Sequence, residues 1–169
     1  PAEWVKKLLL DGTFYHLWYF PGVILGVLVA RGLLRLGSRT ALTAAGLLYL
    51  VGLGGDSYYG LTCQLPALEA LYGGIFQIFA YTRNGLFFTP LFLLLGAAGV
   101  RWSVRTSAAG LCAAFAAMTA EGLWLHGLQV QRHDSMYMLL PLVMVLGLYA
   151  RLALREKSVA FCGGNRYNK

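Results

Sequence analysis

Residues 14–26 read FYHLWYFPGVILG: five aromatic side chains, one histidine and one proline, then an apolar run. The stretch fits a buried strand of a soluble enzyme or a helix entering a bilayer, and the rest of the chain separates the two. Of the 169 residues, 58% are hydrophobic and only 12% charged, against about 25% charged in ordinary soluble domains. Residues 12–30 and 84–100 hold no Asp, Glu, Lys or Arg, and 106–126 hold one, Glu121. A bilayer span needs roughly 20 mainly apolar residues. The expectation is therefore an all-α, polytopic membrane helix bundle, with the aromatic start of residues 14–26 at a membrane interface.

Five spans are expected, over about 15–34, 40–59, 83–100, 106–128 and 135–152. Residues 2–11, amphipathic and carrying Trp4, Lys6 and Lys7, read as an interfacial helix or a plain loop. Residues 60–82 contain Pro66, Glu69 and the pair Gly73-Gly74, and read as a short interfacial or re-entrant helix. Pro21, Pro90 and Pro141 fall inside spans, where a kink is tolerated if neighbours or cavity water satisfy the freed backbone. Many of the 21 glycines suit close helix packing.

The net charge of +7 does not point to nucleic acid, because the basic residues flank apolar runs and form no stripe. Arg31, Arg35, Arg39, Arg101, Arg105, Arg151, Arg155, Lys157, Arg166 and Lys169 gather on one side of a five-span layout. Lys6, Lys7, Arg83 and Arg132 fall on the other. The side richer in Lys and Arg is expected to be cytoplasmic, which puts the N-terminus outside and the C-terminus inside a plasma membrane. A sixth span over 60–82 would spoil this asymmetry. At Ser158 the pattern changes to SVAFCGGNRYNK, so the membrane domain is expected over 1–157 and a disordered cytoplasmic tail over 158–169. Cys63, Cys112 and Cys162 are odd in number and form no close pair, so neither a disulfide framework nor a metal site is implied. No phosphate-binding loop, dinucleotide fingerprint or hydrolase motif is present.

Glu121 is the acid deepest within a span. An ionisable group there costs about 2.5–3.5 kcal/mol on insertion scales and faces the bundle or a cavity. It is a candidate general base, proton relay or ammonium ligand; the alternative is a structural hydrogen bond to a neighbouring helix. His16 is a candidate proton carrier, although a histidine among aromatics also suits an interfacial belt. Asp56, Tyr58 and Tyr59 in GGDSYYG and Arg83 and Asn84 in YTRNGLFF end on the same outer side. They are candidates for a polar substrate cup in which the arginine fork holds a carboxylate or phosphate. The alternative is an Asp56–Arg83 pair that merely closes the loops.

FYHLWYFPGVILG, GGDSYYG and YTRNGLFFTPLFLLLGA, in this order, resemble the acyltransferase-3 family of membrane proteins, over about residues 5–157. The motifs are His16-Leu17-Trp18 and Arg83-Asn84-Gly85-Leu86-Phe87, closing with Leu94-Leu95-Gly96. The spelling is similar in particular to the membrane half of vancomycin-resistance serine/alanine racemases. The resemblance implies transfer of an acyl group from acyl-coenzyme A, as co-substrate rather than bound cofactor, to a hydroxyl of a small molecule or glycan. The competing implication is delivery of L-serine to a racemase domain. In the first case His16, Asp56, Arg83, Asn84 and Glu121 would shape the cavity. In the second, Arg83 would meet the serine carboxylate and Glu121 or Asp56 its ammonium. The family's signature, an arginine eleven positions before a histidine, has no counterpart: those positions hold Val5, Phe115 and Gly122. The chain thus resembles the C-terminal half of such a module, expected to work beside N-terminal helices of the same protein, or to persist as an inactive anchor. The catalytic Lys and Tyr of a racemase domain are not among its residues.

Overall fold

The computed structural model describes residues 19–98 and 104–164, with side chains described over 19–98, 106–152 and 154–155. Every regular element among the described residues is helical: α1 (Tyr19–Leu34), α2 (Ser38–Gly55), the single turn α3 (Tyr59–Thr62), α4 (Pro66–Ile78), α5 (Thr89–Ala97), α6 (Val104–Leu128) and α7 (Leu140–Gly164). Residues 2–11 and His16 lie outside the described residues.

The packing inverts the pattern of a water-soluble bundle. The buried positions of α1 are Gly22, Gly26 and Ala30, one helical face at a spacing of four. The large side chains point out, with Ile24 65% and Leu28 62% exposed. In α2 the buried face begins with Ala41 and Ala45 before Tyr49 and Gly52, while Leu47 and Leu50 face outward. Small residues let backbones approach closely, which is how helices associate when the surrounding solvent is as apolar as leucine. The contact of α1 with the segment before α5 shows the tolerance: a Cβ on Gly85 would stand 2.5 Å from the Gly22 carbonyl oxygen. A Cβ on Gly26 would stand 2.5 Å from the Thr89 side chain.

Helix ends follow local chemistry. Pro66 starts α4 and Pro90 sits in the first turn of α5, where a missing N–H costs nothing. The α1–α2 turn is made at Gly37, with φ 94°, a left-handed backbone suited to glycine. At the end of α6, Gln129 adopts φ 52° and its N–H bonds to the His126 carbonyl.

Several expectations shift. The short helix expected within 60–82 is present as α3 and α4. The helix expected to open at Arg83 begins only at Thr89. With 9 residues it is roughly 14 Å long, about half of a hydrocarbon core. The cause is Asn84, whose side chain folds residues 81–87 into a turn. Beyond the boundary expected at 157, the α7 backbone stays helical to Gly164, because helical hydrogen bonding is local and needs no apolar pattern. Among the described residues one helix, Thr106–Leu128, is long and apolar enough to cross a membrane, and Tyr19–Leu34 and Leu140–Leu152 are shorter apolar helices. The helix lengths therefore support an all-α bundle but do not by themselves establish five spans.

Candidate functional site

The end of α2 organises one end of the bundle. The last four carbonyls of an α-helix have no partner within it, and here side chains from other segments supply two of them: Thr82 Oγ1 donates to the Gly52 carbonyl at 2.8 Å and Thr62 Oγ1 to that of Gly54 at 2.7 Å. Just before these, the Tyr72 hydroxyl donates to the Val51 carbonyl at 2.9 Å. The Asp56 and Tyr58 N–H groups serve Leu53. The GLGG run makes room for these donors, since α2 is buried over Gly52–Gly55.

Asp56 follows immediately and is 0% exposed. Its Oδ2 accepts from the N–H groups of Ser135 at 2.9 Å and Met136 at 2.8 Å, and from the Ser135 hydroxyl at 2.9 Å. The Ser57 hydroxyl adds a bond at 3.3 Å. Its backbone carbonyl takes the Arg132 N–H at 3.2 Å. Asp56 therefore fastens the end of α2 to the segment before α7, where the sequence had suggested Arg83 as its partner. A carboxylate enclosed this way has no face for a substrate ammonium.

Asn84 is also consumed internally. Its Nδ2 donates to the Tyr81 carbonyl at 2.8 Å, and Oδ1 accepts from the N–H groups of Leu86 at 2.9 Å and Phe87 at 3.0 Å. This asparagine turn leaves α5 short and satisfies backbone that would otherwise be orphaned inside the protein. Arg83 stands beside it, its guanidinium 5.0 Å from the centre of the Tyr81 ring. Tyr81 in turn lies 4.9 Å from the His133 ring. Burial, with Arg83 and Arg132 adding repulsion, pushes the His133 imidazole below its ordinary pKa, against the opposing pull of Asp56 and Asp134.

Tyr59 belongs to a second cluster. Its ring lies 5.6 Å from Phe76 and 6.2 Å from Tyr72. Arg132 covers the cluster, 3.6 Å from the Phe76 ring centre and 5.4 Å from that of Tyr59. This cation–π stack ties α4 to the α6–α7 loop.

Glu121 differs from Asp56. From the C-terminal half of α6, its Oε1 accepts from the Tyr58 hydroxyl at 2.7 Å and the Met138 N–H at 2.7 Å. Among the described residues, Oε2 takes the Leu139 N–H alone, at 3.3 Å. The carboxyl thus serves the donors just before α7, where a helix start favours negative charge. A carboxylate has about four acceptor positions, so capacity remains on Oε2. Glu121 also lines an open cleft of about 420 Å³, with Tyr58, Ala117, Ala120, Trp124, Met138 and Leu139.

The sequence thus brings Glu121 to a cleft, buries Asp56 and Asn84 in scaffolding, and places Tyr59 under Arg132; Arg83 is not among the residues lining the Glu121 cleft. Tyr58 was read from GGDSYYG as part of the polar cup, but not as the donor to Glu121. Ser135 and His133 were not singled out by sequence, because their roles depend on residues far away in the chain.

No protein-family model matches the chain, and no solved structure matches it. Curated proteins do. The chain is 42% identical over 166 residues to an amino-acid racemase of Enterococcus faecalis, covering 91% of this chain and 24% of that protein. It is 42% identical over 145 residues to a serine/alanine racemase of Enterococcus gallinarum, covering 83% of this chain and 21% of that protein. A second Enterococcus faecalis amino-acid racemase is 40% identical over 141 residues. The chain spans between a fifth and a quarter of the length of these relatives. Racemase names agree with one branch of the resemblance read from the motifs. The acyl-transfer branch, and with it acyl-coenzyme A as co-substrate, gains no support from these relatives or from any family model.

Proposed function

We propose that this chain is part of the membrane module of a racemase-type protein, and that the module admits L-serine for the racemase. The observation that carries the reading is the similarity to a serine/alanine racemase along 83% of this chain but only 21% of that protein. A discrete helical portion of a racemase needs a task distinct from racemisation chemistry. Two features of the fold favour a membrane task. Small residues line the helix seams while long apolar side chains face outward. The broken α5 segment keeps its irregular backbone buried and satisfied, the condition for such backbone within a bilayer. The module then sits in the plasma membrane as a multi-span bundle, N-terminus outside and C-terminus in the cytoplasm, completed by further helices of the same protein.

Within it, Glu121 receives the ammonium of the amino acid. Glu121 lines the same cleft as Trp124 and Tyr58, aromatic residues that also attract a cation. The full module, this chain together with the further helices of the same protein, reconstituted into vesicles should take up radiolabelled L-serine without consuming acyl-coenzyme A. Glu121→Gln keeps a carbonyl for Tyr58 and Met138 and so preserves the fold, but should abolish uptake. Uptake equal to wild type in this variant would remove Glu121 from the pathway. Consumption of acyl-coenzyme A would restore acyl transfer, and neither activity would leave the chain as an anchor.

A further inference from the structure

We propose that the arginine-rich end of the bundle carries a binding site for an anionic phospholipid, with the headgroup phosphate at Arg39 and an acyl chain in the cavity behind it. The proposal rests on the membrane reading above but not on serine transport. A cavity of about 400 Å³ opens between the α1–α2 turn and the end of α5, lined by Leu34, Ser38, Arg39, Leu42, Leu94 and the pair Ala97-Ala98. Volumes of this order are typical of small-molecule sites. The wall at the end of α5 is made of small residues, Ala97 and Ala98, which leave the space open.

Its polarity is asymmetric. The walls are aliphatic. The rim holds Ser38 and Arg39, and the Arg39 side chain has no hydrogen-bond or ion-pair partner among the described residues. Gly37 precedes α2 without a side chain, so no side chain caps the first N–H groups of this 18-residue helix. Those donors favour an anion. Exposed Arg31 and Arg35 stand on the same turn. A cation at the mouth of an apolar slot is matched by an amphiphile with a negative head and an aliphatic tail. A zwitterionic amino acid has no tail to fill the slot.

The test is lipid binding by purified chain in detergent, read by native mass spectrometry. Phosphatidylglycerol should bind in preference to phosphatidylcholine. Arg39→Gln should weaken phosphatidylglycerol by about fivefold, the worth of one cation near an anionic lipid, and Arg39→Lys should largely restore it. Ala98→Phe, which fills the slot with Arg39 intact, should weaken both lipids. Equal binding of the two lipids by wild type, or unchanged phosphatidylglycerol binding in both Arg39→Gln and Ala98→Phe, would overturn the site. Displacement of the lipid by millimolar inorganic phosphate would show that the anion is recognised without its tail, and would overturn the lipid assignment. A chain that stayed monodisperse without detergent would instead overturn the membrane reading itself.

Discussion

Replacing Asp56 with alanine removes the acceptor that holds the segment before α7 against the end of α2. Four donors converge on this carboxylate: the N–H groups of Ser135 and Met136 and the hydroxyls of Ser57 and Ser135. Met136 is fully buried, so water does not readily replace the lost acceptor. Each buried donor left unpaired costs about 1–3 kcal/mol. The hydroxyls can rotate; Ser57 Oγ already has the His133 carbonyl at 3.2 Å. The two amides have no such freedom, so the local cost is about 3–4 kcal/mol on that scale. At 1.4 kcal/mol per factor of ten, amide hydrogen exchange at residues 135 and 136 should accelerate by more than about 100-fold. Asp56→Asn retains an oxygen at the Oδ2 position for both amides and turns its NH₂ toward Ser135 Oγ; its acceleration should stay below about tenfold. Exchange followed by mass spectrometry in detergent micelles, with a peptide from the middle of α2 as internal control, separates these cases. Wild-type exchange at 135–136 in the alanine variant would refute the argument that Asp56 is a structural clamp.

Three other outcomes follow from the packing and electrostatics. Gly85→Ala should lower thermal stability by about 1–3 kcal/mol, because its Cβ would meet the rigid Gly22 carbonyl, whereas Gly32→Ala, with open space around it, should be neutral or stabilising in the same melt. Tyr72→Phe leaves the Val51 carbonyl without its 2.9 Å donor and should cost about 1 kcal/mol; an unchanged melting curve would show that another donor takes its place. His133 has a folded pKa below its unfolded value, so the unfolded chain binds more protons as the pH falls below about 6.5. Its contribution therefore favours the folded state above that pH and is lost as acid reaches the folded pKa. His133→Gln should flatten the stability profile between about pH 5 and 7, and a profile as steep as wild type would assign the slope elsewhere.

How much of the site was legible depended on whether a residue's role is local. Glu121 was legible as an acid inside an apolar helix, since any such group must find partners or a cavity, and the structure supplies both. Asn84 and Asp56 were legible as special but not in kind. Asn84 could have been read as a turn former from its place before Gly85, yet its position beside Arg83 suggested a substrate cup. The 83–100 segment read as one span because its apolar run is unbroken. Only the Asn84 hydrogen bonds decide that residues 81–88 form a turn and that α5 starts at Thr89. Nothing local in the sequence pairs His133 with Tyr81 or Arg132 with Phe76; the fold brings those rings against them.

The sequence by itself determined that this chain is helical, that its long side chains are apolar, and where prolines and glycines begin and end its helices. These properties depend on composition and on interactions within about one helical turn. The tertiary structure alone decided which polar groups meet. The Ser135 N–H reaches Asp56 across 79 residues, and Tyr58 reaches Glu121 across 63. A buried donor or acceptor must be paired, but the rule names no partner. The choice depends on which helices can approach, and here glycine and alanine seams such as Gly22–Gly26 against Gly85 set that approach. Two acids that look alike in the sequence therefore part ways: Asp56 is enclosed by its donors, while Glu121 lines an open cleft.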